Sequence, residues 1–81
     1  MELKILGGGC AKCNQLEAVT RQAVEQLGLE AHIDHVTDFS QIAAYGVMST
    51  PALVAEGKVL LTGRVPKAEE LAGLLRNCLQ Q

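Results

Sequence analysis

Two cysteines stand three positions apart near the start of the chain, in the stretch GGGCAKC that covers residues 7 to 13. Cys10 and Cys13 follow a short apolar run, Leu3 to Leu6, and precede a pattern typical of a helix. Thiols at this spacing can form a disulfide, bind a soft metal ion through two thiolates, or pack as small apolar side chains. The first two possibilities are chemical functions, and the rest of the chain must distinguish them.

The position of Cys10 favours a reactive thiolate. We expect Cys10 in the first turn of the first helix, where unpaired backbone N–H groups and the helix dipole stabilise negative charge. Lys12 adds a positive charge, so the pKa of the Cys10 thiol is expected to fall from about 8.5 toward neutrality. Cys10 is therefore the predicted nucleophile, and Cys13, one turn deeper, is the predicted resolving thiol. The three glycines before Cys10 would let a partner's backbone approach closely.

A metal site is the main alternative use of the two thiols. Soft-metal carriers bind Cu(I) through two thiolates, whereas zinc needs about four ligands. His32 and His35 are three apart on an expected strand, so they should point to opposite faces, and we interpret both as surface or edge positions. Cys78 continues the apolar face of the last helix and is predicted to be a buried small hydrophobe. A closed zinc site is therefore not expected.

Composition and charge bound the functional class. The 81 residues predict a single domain, 1–81, with 48% hydrophobic residues and a net charge of −2. The seven Lys and Arg residues are scattered and aromatic residues are few, which disfavours nucleic-acid binding. No stretch approaches the ~18 apolar residues of a membrane span, and the start lacks a signal-peptide pattern. We expect a cytoplasmic protein, and in that reducing compartment a Cys-x-x-Cys pair is more often catalytic or metal-binding than structural.

The elements that must position the cysteines are predicted in the order β-α-β-α-β-β-α. Gly28 is the expected C-cap glycine of the first helix, and Asp38 with Gln41 resembles a capping box for the second. A parallel crossover and an antiparallel hairpin both follow from this order, so we predict a mixed four-stranded sheet with helices on both faces. The predicted strands are Leu3–Leu6, Glu30–Val36, Ala52–Ala55 and Val59–Thr62, and the predicted helices are Ala11–Leu27, Phe39–Tyr45 and Lys67–Leu79.

The dipeptide Thr50-Pro51 stands directly before the third predicted strand. Proline cannot donate to a strand ladder, so it must lie at the start of that strand. A copper-carrier domain of this size would run β-α-β-β-α-β and finish on a strand, whereas this chain finishes on a predicted helix. The element order and the proline together favour redox chemistry over metal carriage.

The whole chain resembles the thioredoxin-like superfamily, most closely its small glutaredoxin-sized redox-active disulfide proteins. The resemblance implies a minimal thioredoxin fold and a cis Pro51 that faces the cysteine pair. It also implies that the backbone of Thr50 pairs with a substrate chain, so Thr50 and Pro51 are the predicted substrate-binding residues. The likeness lies in Cys10-Ala11-Lys12-Cys13, Tyr45-Gly46-Val47, Thr50-Pro51-Ala52-Leu53 and Gly63.

Two departures from the family pattern concern the group that exchanges a proton with Cys13 and the donor that supplies the electrons. Thioredoxins proper keep a buried carboxylate on the strand before the motif, where this chain has only Glu2, and they carry other residues at Gly9 and Ala11-Lys12. Proton exchange with Cys13 then needs water or another residue; Glu17 is the candidate, although it also fits a solvated helix position. The glycine pair and acid of glutathione-using glutaredoxins are absent after the last strand, so a protein reductase is the expected donor.

We therefore predict a thiol–disulfide oxidoreductase that carries electron pairs through the Cys10–Cys13 dithiol to protein disulfides. It would be a monomer without a bound cofactor, because the dithiol is itself the redox centre, and would take electrons from a thioredoxin-reductase-like donor. Two alternatives remain at this point: a copper carrier that uses the same two thiolates, and a binding module whose disulfide regulates docking.

Overall fold

The computed structural model of the protein describes residues 1–7 and 11–79. The described elements follow the predicted order, and each begins and ends within two residues of its expected bounds. The strands are β1 (Glu2–Leu6), β2 (His32–Val36), β3 (Ala52–Ala55) and β4 (Lys58–Thr62), and the helices are α1 (Ala11–Leu27), α2 (Phe39–Ala44) and α3 (Ala68–Leu79).

The four strands form one mixed sheet in the order β2-β1-β3-β4. β1 and β2 are parallel, which the long crossover through α1 permits, while β3 is antiparallel to both β1 and β4. Glu56 and Gly57 make the β3–β4 turn with positive φ angles of 50° and 81°. The predicted mixed sheet is confirmed.

The alternation of β1 divides its side chains between two hydrophobic cores. Leu3 and Ile5 belong to the larger core, which α1 and α3 cover, whereas Leu6 belongs to a smaller core beneath α2. Helices therefore lie on both faces of the sheet, as predicted. The fully or nearly buried members of the larger core include Leu16, Leu53, Leu61, Leu71 and Leu75, and those of the smaller core are Leu6, Ile42, Val47, Ala52 and Val54.

Local capping signals set the helix bounds. Gly28 has a φ of +66°, and the Gly28 and Leu29 N–H groups donate to the Glu25 and Val24 carbonyls, so α1 ends in a Schellman motif. Asp38 caps α2, but its carboxylate accepts from the Ser40 N–H at 2.9 Å rather than from Gln41. The capping box thus differs from its prediction by one residue, and the cap itself is confirmed.

Two side chains differ from their sequence predictions in burial. Cys78 is predicted to be buried, but in the last turn of α3 it lies partly exposed at the rim of the larger core. His35 is predicted to be a surface or edge position, whereas its side chain is only 24% exposed because α1 crosses over that end of β2. Among the described helices, none is long and apolar enough to cross a membrane.

Candidate redox site

Of the two motif cysteines, Cys13 lies within the described residues and Cys10 lies outside them. Cys10 directly precedes Ala11, the first residue of α1, so the prediction that it is the nucleophile stays a prediction. Cys13 has no exposed surface, whereas Lys12 beside it is exposed. The first turn of α1 contains no acidic residue, so Lys12 is the charged side chain at this end of the helix.

Gly7 brings the end of β1 into direct contact with Cys13. It is buried, and its N–H donates to the Val36 carbonyl at 2.9 Å, which anchors it beside β2. A Cβ at this position would overlap the Cys13 Sγ and lie 3.8 Å from the Thr50 Cβ. The sequence predicts that the three glycines leave room for a partner, but at Gly7 the space is occupied by the protein's own Cys13. Gly8 and Gly9 lie outside the described residues.

The loop before β3 reaches the same point. The Thr50–Pro51 peptide bond is cis, Pro51 is buried and Thr50 is exposed. The Gly63 N–H donates to the Pro51 carbonyl at 2.8 Å, so the segment after β4 supports this loop. Within the described part of the chain, the backbone of Thr50 makes no backbone–backbone hydrogen bond.

An apolar groove of about 350 Å³ runs from Thr50 toward α2. Phe39 and Met48, which line it, are 81% and 97% exposed, while Ile42 and Val47 form its buried floor. This groove is not predicted from the sequence. Two large apolar residues near α2 could have indicated it. Phe39 is the first residue of α2, and Met48 follows Val47 in the loop after the helix.

Glu17 lies one turn beyond Cys13 on α1 and contacts two other charged or titratable groups. Its Oε1 is 3.6 Å from the His35 Nδ1, and its Oε2 is 3.7 Å from the Arg21 Nε. The sequence predicts that His32 and His35 point to opposite faces, and this is confirmed, because His32 pairs with Glu2 and His35 with Ile5. The structure therefore brings His35, and not His32, to the face of the sheet that α1 covers.

One group of described residues could supply three metal ligands. Ligand atoms of Glu2, His32 and Asp34 lie within 4.8 Å of one another, all on exposed side chains. Lys4 projects from the same face, and its hydrogen bond to the Tyr45 hydroxyl at 3.2 Å, aided by Asp34 and Glu2, raises the pKa of Lys4. This group lies on the opposite face of the sheet from the side chains of the larger core and does not include Cys13.

The fold and this geometry together define a class of protein. A buried thiol in the first turn of a helix, next to a cis X-Pro loop on a β-α-β-α-β-β-α sheet, is the arrangement of the thioredoxin fold.

Comparison with known proteins gives the same class. A family model described as a thioredoxin domain matches residues 1–76. A thioredoxin of Methanothermobacter thermautotrophicus is 36% identical over 75 residues, which are 93% of this chain and 97% of that protein. A thioredoxin of Methanocaldococcus jannaschii is 37% identical over 78 residues, which are 96% of this chain and 90% of that protein. The chain therefore belongs to the thioredoxin domain family and is a thioredoxin-like redox protein, which confirms the resemblance drawn from its sequence.

Proposed function

We propose that this protein reduces disulfide bonds in other proteins by using Cys10 and Cys13 as a dithiol. The observation that supports the proposal is the meeting of Cys13, Gly7 and Thr50 at one point, beside the cis Pro51. Two cysteines at this spacing can close a disulfide, and a polypeptide paired with Thr50 would lie beside Cys13.

In the first step the Cys10 thiolate attacks one sulfur of a substrate disulfide. A Cys10–substrate disulfide forms, the substrate S–S bond breaks, and the released thiolate takes a proton from water. Lys12 and the N-terminal end of α1 supply positive charge that favours the attacking thiolate. The accessible backbone of Thr50 holds the substrate segment in an extended conformation.

In the second step Cys13 resolves the mixed disulfide. The Cys13 thiol loses its proton and its sulfur attacks the Cys10 sulfur, so the Cys10–Cys13 bond forms and the second substrate thiolate leaves. Two electrons pass from the dithiol to the substrate. Because Cys13 is fully buried, it is shielded from direct attack on outside disulfides and reacts with Cys10, its neighbour in the motif.

The groove beside Thr50 fits the polypeptide that flanks the substrate disulfide. Phe39 and Met48 offer exposed apolar surface continuous with the site, which suits apolar side chains near the disulfide of a partly unfolded protein. The dithiol would be regenerated by a thioredoxin-reductase-like donor, and no bound cofactor takes part in the exchange.

The proposal is tested by cysteine-to-serine variants in a disulfide reduction assay with insulin and dithiothreitol. Cys13→Ser should accumulate a covalent complex with the substrate, because attack still occurs but resolution does not. Cys10→Ser should lose the activity, and Cys78→Ser, which alters a thiol at the rim of the core, should retain it. An active Cys10→Ser variant would contradict the proposal. Stoichiometric copper in anaerobically purified protein without turnover would instead favour a soft-metal carrier.

A further inference from the structure

Three titratable side chains meet on the inner side of α1, and the thiol chemistry above uses only one of them. Cys13 rests against Gly7, which directly follows β1 and whose Cβ direction points to the face of the sheet that carries Ile5. His35 pairs with Ile5 from β2, so it lies on the same face, diagonally next to Gly7. Glu17 approaches from the helix above.

Glu17 follows Cys13 by four residues on α1, so the two side chains lie on neighbouring turns of the same side of the helix. Residues four apart on a helix have Cβ atoms about 5–6 Å from each other, and a helical side chain leans over the turn before it. The carboxylate is two-thirds buried, with 33% of the side chain exposed. It contacts His35 at 3.6 Å, one helical turn from the buried thiol along α1.

His35 contacts this carboxylate and little else that is polar. Its Nδ1 is 3.6 Å from the Glu17 Oε1, while its Nε2 is buried and has no hydrogen-bond partner among residues 1–7 and 11–79. Within the described residues, Glu17 is thus the polar group that accounts for an imidazole in this place. An aliphatic side chain would fill the His35 position equally well if contact with the Glu17 carboxylate were not needed.

The remaining charges around the cluster are few. On α1, Arg21 lies 3.7 Å from the second oxygen of Glu17, and Lys12 is exposed at the helix start. β1 and β3 turn aliphatic side chains toward α1, and α3 does the same apart from Cys78 at the rim of the core. Among the described residues, Glu17 is therefore the anionic group that faces the Cys13 side of α1.

We propose that Glu17 is the group that takes the proton from Cys13 and that His35 is a positioning residue for its carboxylate. The inference deepens the proposed function and rests on it. A buried thiol ionises less readily than an exposed one, because burial disfavours the thiolate, so resolution needs a proton acceptor close by.

The resolving step needs no further reactant to account for its proton and electrons. The proton of the Cys13 thiol passes to the Glu17 carboxylate as the Cys13 sulfur attacks the Cys10 sulfur of the mixed disulfide. The Cys10–Cys13 bond forms, the bond to the substrate sulfur breaks, and the departing thiolate receives the proton from Glu17 or from solvent. The dithiol is oxidised by two electrons and the substrate disulfide is reduced by two.

Reaction of the fully reduced protein with dithiobis(nitrobenzoic acid) separates this step from the first one. Attack by Cys10 releases one thionitrobenzoate and leaves a mixed disulfide, and resolution by Cys13 releases a second. The ratio of the two rates, followed as a function of pH, reports the resolving step within a single folded molecule. The Cys78→Ser background removes the third thiol of the chain.

Glu17→Gln should slow the second release about a hundredfold near neutral pH and leave the first unchanged. The deficit should narrow as the pH rises above about 8.5, the ordinary thiol pKa, because hydroxide then removes the proton of the buried thiol more readily. His35→Gln should cause a smaller defect with the same pH dependence, and the double variant should be no slower than Glu17→Gln, because His35 acts through Glu17.

The matched controls are Glu25→Gln on the exposed side of α1 and His32→Gln on the opposite face of the sheet, and both should behave as the parent does.

An unchanged second release in Glu17→Gln at every pH would overturn the proton role while leaving the proposed function intact. Absence of any second release in the parent protein would instead refute the dithiol mechanism itself. Additive effects of the two substitutions would overturn the positioning role of His35. Glu17→Asp, which keeps a carboxylate on a shorter side chain, should recover part of the rate, and a slow rate equal to that of Glu17→Gln would contradict the proposal.

Discussion

At the scale of single residues, the packing of Cys13 depends on Gly7 having no side chain. Gly7 has no Cβ, and the volume that a Cβ would take is filled by the Cys13 sulfur. This close approach presses the first turn of α1 against the end of β1, which fixes where the buried thiol can lie. The same would-be Cβ lies 3.8 Å from the Thr50 Cβ, so Cys13 and Thr50 both pack around Gly7.

We expect Gly7→Ala to destabilise the protein by about 1–3 kcal/mol, because the added methyl group forces Cys13 and its helix turn to shift. The matched substitution is Gly73→Ala on α3, where an added Cβ meets nothing within 4 Å. That change should stabilise the protein by about 0.5–1 kcal/mol, since alanine is the better helix former. Urea unfolding of the two variants measures both signs, and a neutral or stabilising Gly7→Ala would contradict the packing described for Cys13.

At the scale of elements, the cis-proline loop is held from the side by the segment after β4. The Gly63 N–H binds the Pro51 carbonyl, and Gly63 itself adopts a φ of +75° directly against Ser49, with a would-be Cβ 3.2 Å from the Ser49 Cβ. β4 pairs with β3 but shares no ladder with β1, and this hydrogen bond extends that pairing to the loop before β3. The position of the Thr50–Pro51 loop therefore depends on the β4–α3 connection.

Gly63→Ala should cost more than the backbone strain alone. A residue other than glycine in the left-handed region costs about 1–2 kcal/mol, and the contact with Ser49 adds to it. Gly28→Ala is the control, because Gly28 has a φ of +66° but an open surrounding, so it should show the backbone cost only. The free energies of unfolding of the two variants give the cost of the contact with Ser49 as their difference. Insulin reduction should fall in Gly63→Ala and not in Gly28→Ala, and equal activity in the two would argue against a supporting role for Gly63.

At the scale of the whole molecule, the two faces of the sheet differ in how completely helices cover them. The face under α1 and α3 carries the larger core, while α2, with six residues, covers only part of the other face. A domain of 81 residues has little stability to spare, so most of it must come from the larger core. The partly covered face leaves an apolar groove at one end and the exposed Glu2, His32 and Asp34, with the half-buried Lys4, at the other.

Leu75→Ala tests this division between stability and function. Leu75 is fully buried between α3 and the sheet, so its truncation should cost about 2–5 kcal/mol. Leu74→Ala, at a partly buried neighbouring position on the same helix, should cost clearly less. Urea unfolding measures both losses. Under native conditions the first thionitrobenzoate release should be unchanged in either variant, and a slowed release in Leu74→Ala would mean that α3 also shapes the redox site.

The sequence by itself determined the features that depend on near neighbours along the chain. Hydrophobic periodicity predicts the seven elements, and Gly28 and Asp38 mark helix ends, because capping and periodicity act within a few residues. The cysteine spacing and Thr50-Pro51 indicate the redox class for the same reason. These predictions are confirmed by the fold and by the family to which the chain belongs.

The tertiary structure alone decided which distant side chains meet. The approach of Gly7 to Cys13 and Thr50, the pairing of Glu17 with His35, and the groove that Phe39 and Met48 border all join separate elements. Each depends on the register of β1 with β2 and on how α1 and α2 cross the sheet. No local pattern encodes such a register, because a shift of one residue would preserve the strand yet turn His35 to the other face.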